Sequence, residues 1–144
     1  MTPVVRTLCL SLSCIAAMCA RADAVACEGF DIEYTTFVST VIPASVAKAH
    51  GIVQSDDRII TNIVVKNKGK ATRAAVAGTA TNLLNQATDL NFKPVPDDGG
   101  LYYLAVVKAD GRSTIRYGIS VRPAGSTATC RIDFIRDYYE AGTR

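Results

Sequence analysis

The chain has a single histidine, His50, and that residue limits the kinds of catalysis the sequence could support. A Ser-His-Asp arrangement would have to use it, yet Ser45 belongs to the same short segment and the chain has no G-x-S-x-G elbow. One histidine and two cysteines that we expect to pair do not supply the ligands of a zinc site. We therefore predict no catalytic residue, no metal site and no cofactor, and interpret His50 as a helix-terminal residue.

Two acidic pairs in predicted turns offer a different chemistry. Asp56 and Asp57 precede an apolar strand, and Asp97 and Asp98 precede two glycines. Such carboxylates could serve as the acid and base of a glycosidase, but paired acids in turns are usually solvated. The second pair also lacks the D-x-D-x-D spacing that gathers oxygen ligands around calcium. A small hydrolase that uses the turn carboxylates or His50 is therefore the alternative to a non-enzymatic function.

Four arginines near the end of the chain could share one exposed face of a sheet. They are Arg112, Arg116, Arg122 and Arg131, which we call the cationic stripe. The first three have one parity along a single predicted strand, and the fourth points away from the apolar residues of the next strand. Such a surface would suit lipid phosphates or acidic glycans. The alternative is a solvated face that Asp133 and Asp137 neutralise.

Tyrosines occur in two adjacent pairs, Tyr102-Tyr103 and Tyr138-Tyr139. Tyrosine offers a rigid apolar ring with a polar tip, so the four side chains could form a contact surface. The alternative is that one tyrosine of each pair lies in the core while the other lies at its rim.

The N-terminal segment is typical of a secretory signal peptide. Arg6 is the only charge in residues 1–20, and an apolar run and then small residues follow it. The run is too short to cross a bilayer, and no second run of spanning length follows. Ala22-Asp23-Ala24 supplies an A-x-A site. We predict a signal peptide over residues 1–24, with cleavage after Ala20 as the rival, and a single exported periplasmic domain over residues 25–144.

Two cysteines would remain after that cleavage, Cys27 and Cys130. An even number of cysteines in an oxidising compartment favours a disulfide, and the first and last strands of a sandwich can lie close together. Two unrelated thiols are the alternative. Residues 24–27 read AVAC, which could also indicate lipid attachment at Cys27, but Arg21 and Asp23 interrupt the pattern.

Charge excludes one class of partner. The whole chain has 16 basic and 13 acidic residues, and removal of residues 1–24 takes away Arg6, Arg21 and Asp23 and leaves 14 and 12. This balance is close to neutral, so the sequence gives no reason to expect nucleic-acid binding. An envelope protein of unknown identity or an anionic envelope ligand is the partner we expect.

The elements that would position these residues are mostly strands. Residues 30–34 alternate apolar and polar, and the apolar phase shifts over residues 37–41, which predicts a strand with a bulge near Thr35 and Thr36. Residues 59–65 are β-branched and nearly continuous, as expected of a strand buried on both faces. Between them, Pro43 and Gly51 delimit one short helix over residues 43–50.

The rest of the chain reads as strands and turns. Residues 74–84 contain many alanines, but their glycine and threonines favour a strand. Residues 90–95 form another, which Pro94 and Pro96 confine to a sheet edge. The Asp110-Gly111 dipeptide predicts a tight hairpin between the strands on either side.

These patterns together give about seven strands, joined mostly by hairpins, with the helix at residues 43–50 in the first crossover. That composition predicts an all-β fold, a two-sheet β-sandwich, with a closed barrel as the rival.

One part of the chain resembles a known family. A strand ends in F-x-S-T, a proline and V-A-K-A-x-G-I-V-x-S follow, and G-T-A-T-N-L-L comes later. The matching residues are Phe37, Ser39, Thr40, Pro43, residues 46–48, residues 51–53, Ser55 and residues 78–84. This resembles a bacterial family of small periplasmic proteins known only as a domain of unknown function. The resemblance implies an immunoglobulin-like β-sandwich in the cell envelope and no particular activity.

Members of that family often carry tyrosine where this chain has His50, and the cysteine pair is not part of the resemblance, so no role for these residues follows from it. Immunoglobulin-like sandwiches often serve as binding modules, although a fold alone does not establish a function. We expect a non-enzymatic binding or accessory module of the cell envelope. A concave pocket with at least two convergent titratable groups would favour the hydrolase instead.

Overall fold

The computed structural model describes residues 22–109 and 111–139, and the two antiparallel sheets of this part pack against each other. Ten strands occur in the described ranges. In chain order they are β1 (Asp23–Cys27), β2 (Phe30–Val38), β3 (Arg58–Asn67), β4 (Lys70–Ala71), β5 (Ala74–Thr81), β6 (Ala87–Leu90), β7 (Lys93–Asp97), β8 (Gly100–Lys108), β9 (Ser113–Pro123) and β10 (Cys130–Tyr138).

Sheet A has the strand order β1-β2-β3-β8-β7, with the short β4 paired to the end of β3. Sheet B has the order β10-β9-β5-β6. The all-β sandwich predicted from the sequence is confirmed, and it has ten strands where the patterns indicated about seven. The difference arises because no pattern indicated β1 or β4 and because residues 90–95 divide between β6 and β7, which lie in different sheets.

The core lies between the sheets and is built from alternate residues of each strand. Ile63 and Val65 of β3 face Ile119 and Val121 of β9, and all four have 0% exposure. The other face of β3 is buried as well, which confirms the prediction for residues 59–65. The 3-10 turn in the connection between β2 and β3 contacts β3. Burial of each such side chain stabilises the fold by roughly 1.5–3 kcal/mol.

That connection contains the predicted helix, α1 (Ala44–Ala49). Pro43 is the N-cap and has an extended ψ of 138°, so it precedes the first helical residue. Gly51 ends the helix with φ at +64°, and the Ile52 N–H donates to the Ala47 carbonyl at 2.8 Å. This is the bond of a Schellman motif, and it explains why glycine stands at that position.

A buried serine fixes both ends of the connection. The Ser39 hydroxyl donates to the Ser55 carbonyl at 3.0 Å and accepts from the Ser55 N–H at 2.9 Å. Gln54 adds a side-chain bond to the Ile42 carbonyl at 2.6 Å. Because β2 and β3 pair with each other, the helical segment leaves and returns to the same sheet.

The predicted bulge in the first long strand is wrong. Pairing of β2 with β3 runs without interruption from Phe30 opposite Asn67 to Val38 opposite Ile59. The core-facing residues of β2 keep one parity through Tyr34 and Val38, so Phe37 lies on the opposite face of the strand, and a short 3-10 turn follows Val38. Val41, the last residue of the shifted apolar pattern, is 71% exposed in that turn.

The hairpin predicted at Asp110-Gly111 is also wrong. Asp110 lies outside the described residues, but β8 belongs to sheet A and β9 to sheet B, so the chain crosses between sheets here. Gly111 does have the positive φ, +58°, that such a dipeptide favours. Turn chemistry is local, whereas the choice of strand partner depends on long-range packing. The predicted edge position of the proline-bearing strand is confirmed, since β7 ends sheet A.

A disulfide joins Cys27 and Cys130, with their Cα atoms 6.1 Å apart. β1 and β10 are the edge strands of the two sheets, so the bond closes one side of the sandwich. The disulfide predicted from the cysteine count is confirmed. Cys130 is 3% exposed and belongs to the core cluster.

Most of the predicted signal peptide, residues 1–21, lies outside the described residues. β1 begins at Asp23, which forms an ion pair with Arg136 of β10. Cleavage after Ala24 would remove the first two residues of β1, whereas cleavage after Ala20 would keep the strand whole. In the described ranges, no helix is long and apolar enough to cross a membrane.

Candidate binding surface on sheet B

The outward face of sheet B carries the predicted cationic stripe. Arg116 and Arg122 are exposed on β9, and they alternate with residues that point into the core. Arg131 is exposed on β10 between the buried Cys130 and Ile132. Arg112 is exposed just before β9 begins. Strand parity therefore placed Arg116, Arg122 and Arg131 correctly, whereas Arg112 precedes β9 and does not take part in that parity; whether these residues form a binding surface stays a prediction.

These arginines do not converge on one point. Arg116 and Arg122 are six residues apart on one extended strand, which corresponds to about 20 Å. On the neighbouring strand β10, Arg131 lies opposite Ser120, which stands between Arg116 and Arg122 along β9. The stripe therefore runs the length of the sheet and can contact separate ligands at its two ends.

Neutralisation by nearby carboxylates is only partial. The Arg131 Nε lies 2.9 Å from an Asp133 carboxylate oxygen, and hydrogen bonding to that carboxylate raises the pKa of Arg131. Asp137 instead accepts a hydrogen bond from the Thr114 hydroxyl at 2.6 Å. Within residues 22–109 and 111–139, no carboxylate forms an ion pair with the other three arginines of the stripe.

A depression lies at the middle of this face, where Gly118 of β9 has no side chain. Its volume is about 330 Å³. A Cβ atom on Gly118 would lie 3.2 Å from an Arg131 guanidinium nitrogen and 3.3 Å from an Asp133 carboxylate oxygen. We call it the Gly118 depression, and its polar lining consists of Thr79, Thr81, Arg116, Arg131 and Asp133.

The chemistry of the Gly118 depression is that of anion recognition. Two guanidinium groups and two threonine hydroxyls provide donors around a small open space, and guanidinium groups bind carboxylates and phosphates in a bidentate manner. Asp133 already occupies one edge of Arg131. Arg116 is therefore the less neutralised cation of the two, and it lies 3.4 Å from the uncharged Asn85 side-chain oxygen.

Arg122 belongs to a different depression, a groove of about 700 Å³ at the end of the sandwich. Its lining is mostly apolar and comes from both sheets, including Val76, Phe92, Pro94, Leu101 and Tyr103. The Ala74 N–H donates to the Tyr103 hydroxyl at 2.8 Å and so links the two sheets there. Sequence reasoning missed this groove, because it depends on how far sheet B covers sheet A.

Arg112 lines a third depression, of about 340 Å³, at the opposite end of sheet B. Leu83 and Leu84, in the turn between β5 and β6, line it as well. No sequence pattern indicated this site, because the strand predicted over residues 74–84 in fact ends at Thr81.

The residues considered for catalysis lie elsewhere. His50 is the C-cap of α1, as predicted, and it lines none of the three depressions. Asp57 accepts a hydrogen bond from the Ser55 hydroxyl and lies 3.7 Å from Lys108. That hydrogen bond lowers the pKa of Asp57, which suits a permanently ionised group and not a general acid.

The two acidic turns are also far apart. Asp97 pairs with Gly100 at the start of β8, whereas Arg58, next to Asp57, pairs with Lys108 at its end. The extended strand between those two ends spans about 27 Å, too far for the two carboxylates of a glycosidase. In the described part of the chain, no group of three or more metal-ligating side chains occurs.

The tyrosine pairs divide between the core and its rim. Tyr103 is 7% exposed, whereas Tyr139 is 67% exposed. Tyr138 packs against the core, and its hydroxyl lies 2.8 Å from the hydroxyl of the buried Tyr117. Tyr138 and Tyr139 therefore cannot form one continuous contact surface.

The fold and its surface define a class of protein, a two-sheet β-sandwich with an inter-sheet disulfide and an exposed cationic face. The chain belongs to the DUF4426 family, a domain of unknown function, whose sequence profile matches residues 25–141. The resemblance to a family of unknown function is thereby confirmed. No curated protein matches the sequence significantly.

Solved structures share the architecture. A DUF4426 family protein from Pseudomonas aeruginosa PAO1 is 28% identical, with a TM-score of 0.78 over 84% of this chain and 97% of that chain. FetP of uropathogenic Escherichia coli strain F11, expressed in the periplasm, is 10% identical, with a TM-score of 0.60 over 84% and 95% of the two chains. A copper-bound FetP variant is also 10% identical, with a TM-score of 0.58 over 81% and 94%.

At such low identity, FetP shows the fold alone, and copper has to be tested against the residues of this chain. Copper sites in proteins use histidine, methionine and cysteine, with oxygen ligands added at some Cu(II) sites, and no group of three or more histidine, cysteine or carboxylate side chains occurs in the described residues. This chain has one histidine, Met1 and Met18 lie outside the described residues, and Cys27 and Cys130 are bonded to each other. The described residues therefore do not fit a copper site.

Proposed function

We propose that this chain is a non-enzymatic binding or accessory module of the cell envelope. The predicted signal peptide would export it to the periplasm, an oxidising compartment that suits the Cys27–Cys130 bond. The ligand we propose is an anionic group of an envelope component, such as a phosphate or a carboxylate.

The Gly118 depression is the observation on which the proposal rests. Its donors come from three adjacent strands of one hydrogen-bonded sheet, with Thr79 and Thr81 on β5, Arg116 on β9 and Arg131 on β10. A rigid sheet holds such donors in place before the ligand arrives, which reduces the entropic cost of binding. The hydrolase is the weaker candidate, because His50 and the turn carboxylates line none of the three depressions.

A charge-reversal experiment tests the proposal. The double variant Arg116→Glu with Arg131→Glu should fold normally, because both side chains are exposed, but should recover less crosslinked partner from envelope extract. The matched control is Lys70→Glu with Lys93→Glu, which changes the net charge equally at exposed positions of sheet A. Undiminished recovery by the first variant, or an equal loss in the control, would remove the Gly118 depression from consideration.

A titration with inorganic phosphate locates the anion-binding site. Amide NMR spectra recorded with increasing inorganic phosphate should show saturable shifts at Thr79, Gly118 and Arg131, and these shifts should disappear in the double variant. Shifts spread evenly over the lysines and arginines of both sheets would indicate nonspecific ion binding instead.

A further inference from the structure

The turn between β5 and β6 holds two consecutive leucines in solvent. Leu83 is 72% exposed and Leu84 is 78% exposed, the two highest values among the large apolar side chains of the described residues. A single exposed leucine needs no explanation. Two adjacent ones at the tip of a sheet form an apolar projection of the kind that marks a contact site.

This projection is rigid because Asn82 organises the turn. Its side-chain oxygen accepts hydrogen bonds from the N–H groups of Leu84 and Gln86, both at 3.0 Å. Its carbonyl accepts from the Asn85 N–H at 3.0 Å, and its side-chain amide donates to the Gln86 side chain at 2.8 Å. These hydrogen bonds fix the backbone of the turn, and the two leucine side chains project from it into solvent.

Cations surround the projection. Arg112 lines the same depression as the two leucines, and Arg116 lies 3.4 Å from the Asn85 side-chain oxygen. No carboxylate in residues 22–109 and 111–139 forms an ion pair with either arginine. The Arg112 guanidinium also lies 5.5 Å from the ring centre of Tyr139, whose side chain is exposed.

We propose that this turn inserts Leu83 and Leu84 into an anionic lipid surface, with Arg112 and Arg116 at the level of the lipid phosphates. Apolar side chains below a layer of cations, with an aromatic ring beside them, match the order of groups at a bilayer interface. The inference goes beyond the proposed function: it shares Arg116 with the Gly118 depression, but Leu83, Leu84 and Arg112 do not line that depression.

The hydrogen bonding of the turn favours lipid over a protein partner. The N–H groups of Leu84, Asn85 and Gln86 already have acceptors within the turn, so these three donors keep their hydrogen bonds at an apolar surface. A protein interface usually pairs its backbone and side-chain donors across the contact. This tip offers leucine side chains and guanidinium groups, both of which lipids accommodate.

Vesicle sedimentation tests the proposal with the purified protein. The protein should bind vesicles of phosphatidylcholine mixed with phosphatidylglycerol and bind vesicles of phosphatidylcholine alone much less. Leu83→Ser with Leu84→Ser should weaken binding at least about tenfold, since burial of two leucines is lost. The control, Val41→Ser with Val53→Ser, removes two valines that are 71% and 58% exposed in the connection between β2 and β3 and should bind normally.

Insertion itself can be followed by fluorescence because the chain has no tryptophan. Leu84→Trp should give a blue-shifted emission on anionic vesicles and should be quenched by brominated lipids, whereas Val53→Trp should show neither effect. Absence of binding by the unmodified protein, normal binding by the double serine variant, equal loss in the valine control, or an unshifted emission spectrum for Leu84→Trp would each overturn the proposal. Loss of phosphate binding in the Arg116 and Arg131 variant would instead concern the separate proposed function.

Discussion

Cys27 and Cys130 connect the two sheets at their edges, with their Cα atoms 6.1 Å apart and a separation of 103 residues along the chain. Sheet A and sheet B share no hydrogen-bonded strand in the described residues, so this bond is their covalent link on the β1–β10 side. Cross-linking positions so far apart in sequence greatly restricts the unfolded chain.

Cys27→Ser should lower the free energy of unfolding by about 2–5 kcal/mol, the usual range for loss of a native disulfide. Thermal or urea denaturation of the variant and of the original protein, each with and without reductant, measures the effect. Reductant should destabilise the original protein and leave the variant unchanged. An identical melting temperature for the two proteins under oxidising conditions would show that the bond contributes nothing to stability.

A charge in the core should unfold the domain. Ile119 is 0% exposed, so Ile119→Asp would bury an unpaired carboxylate as well as lose apolar contact, and the same holds for Ile63. Ile135 is the control, because it lies in the neighbouring strand but is 56% exposed. Circular dichroism and soluble yield should show loss of structure for Ile119→Asp and little change for Ile135→Asp. A stable, folded Ile119→Asp variant would contradict the assigned inward face.

Two glycines at one level of sheet B should respond differently to alanine. A Cβ on Gly78 would lie 2.7 Å from the Gly118 carbonyl oxygen and 3.1 Å from the Ile119 Cα, both backbone atoms. Gly78→Ala should therefore cost about 1–3 kcal/mol of stability, since the strands must move apart. At Gly118 the nearest atoms belong to the exposed side chains of Arg131 and Asp133, which can turn away. Urea midpoints should fall clearly for Gly78→Ala and hardly at all for Gly118→Ala.

The parts of the fold that local chemistry determines could be predicted from the sequence. The β-branched run at residues 59–65 had to be buried on both faces, and Gly51 had to end the helix with a positive φ. Pro94 and Pro96 cannot donate to a ladder, so β7 had to be an edge strand. The outward position of Arg116, Arg122 and Arg131 followed from strand parity, although Arg112 precedes the strand.

What the sequence could not show depends on contacts between distant residues. β8 and β9 belong to different sheets although only a few residues separate them in the sequence, because each pairs with other strands of the chain. The exposure of Leu83 and Leu84 has a different, local cause that the residue pattern did not indicate. The Asn82 side-chain oxygen accepts hydrogen bonds from the N–H groups of Leu84 and Gln86, so β5 ends before the two leucines. To predict the Gly118 depression, one would have to know which side chains flank Gly118 on the two neighbouring strands.

The paired hydroxyls of Tyr117 and Tyr138 should make stability fall at alkaline pH. Tyr117 is 2% exposed, and burial, followed by the nearby Tyr138, raises its pKa well above the usual value. Burial raises the pKa of Tyr138 as well. The folded state therefore retains protons that the unfolded state loses above about pH 10, so this stability is complete below that pH and is lost as the pH rises.

Tyr117→Phe should cost roughly 1 kcal/mol near neutral pH, because the hydrogen bond between the hydroxyls is lost. The same variant should show a shallower loss of stability between about pH 9 and pH 11 than the original protein, since one protonation difference has been removed. Tyr139→Phe is the control. Because Tyr139 is exposed, this variant should leave both the urea midpoint and the pH dependence of stability unchanged. Urea denaturation at several alkaline pH values measures the slopes, and parallel slopes for Tyr117→Phe and the original protein would show that Tyr117 is not linked to folding.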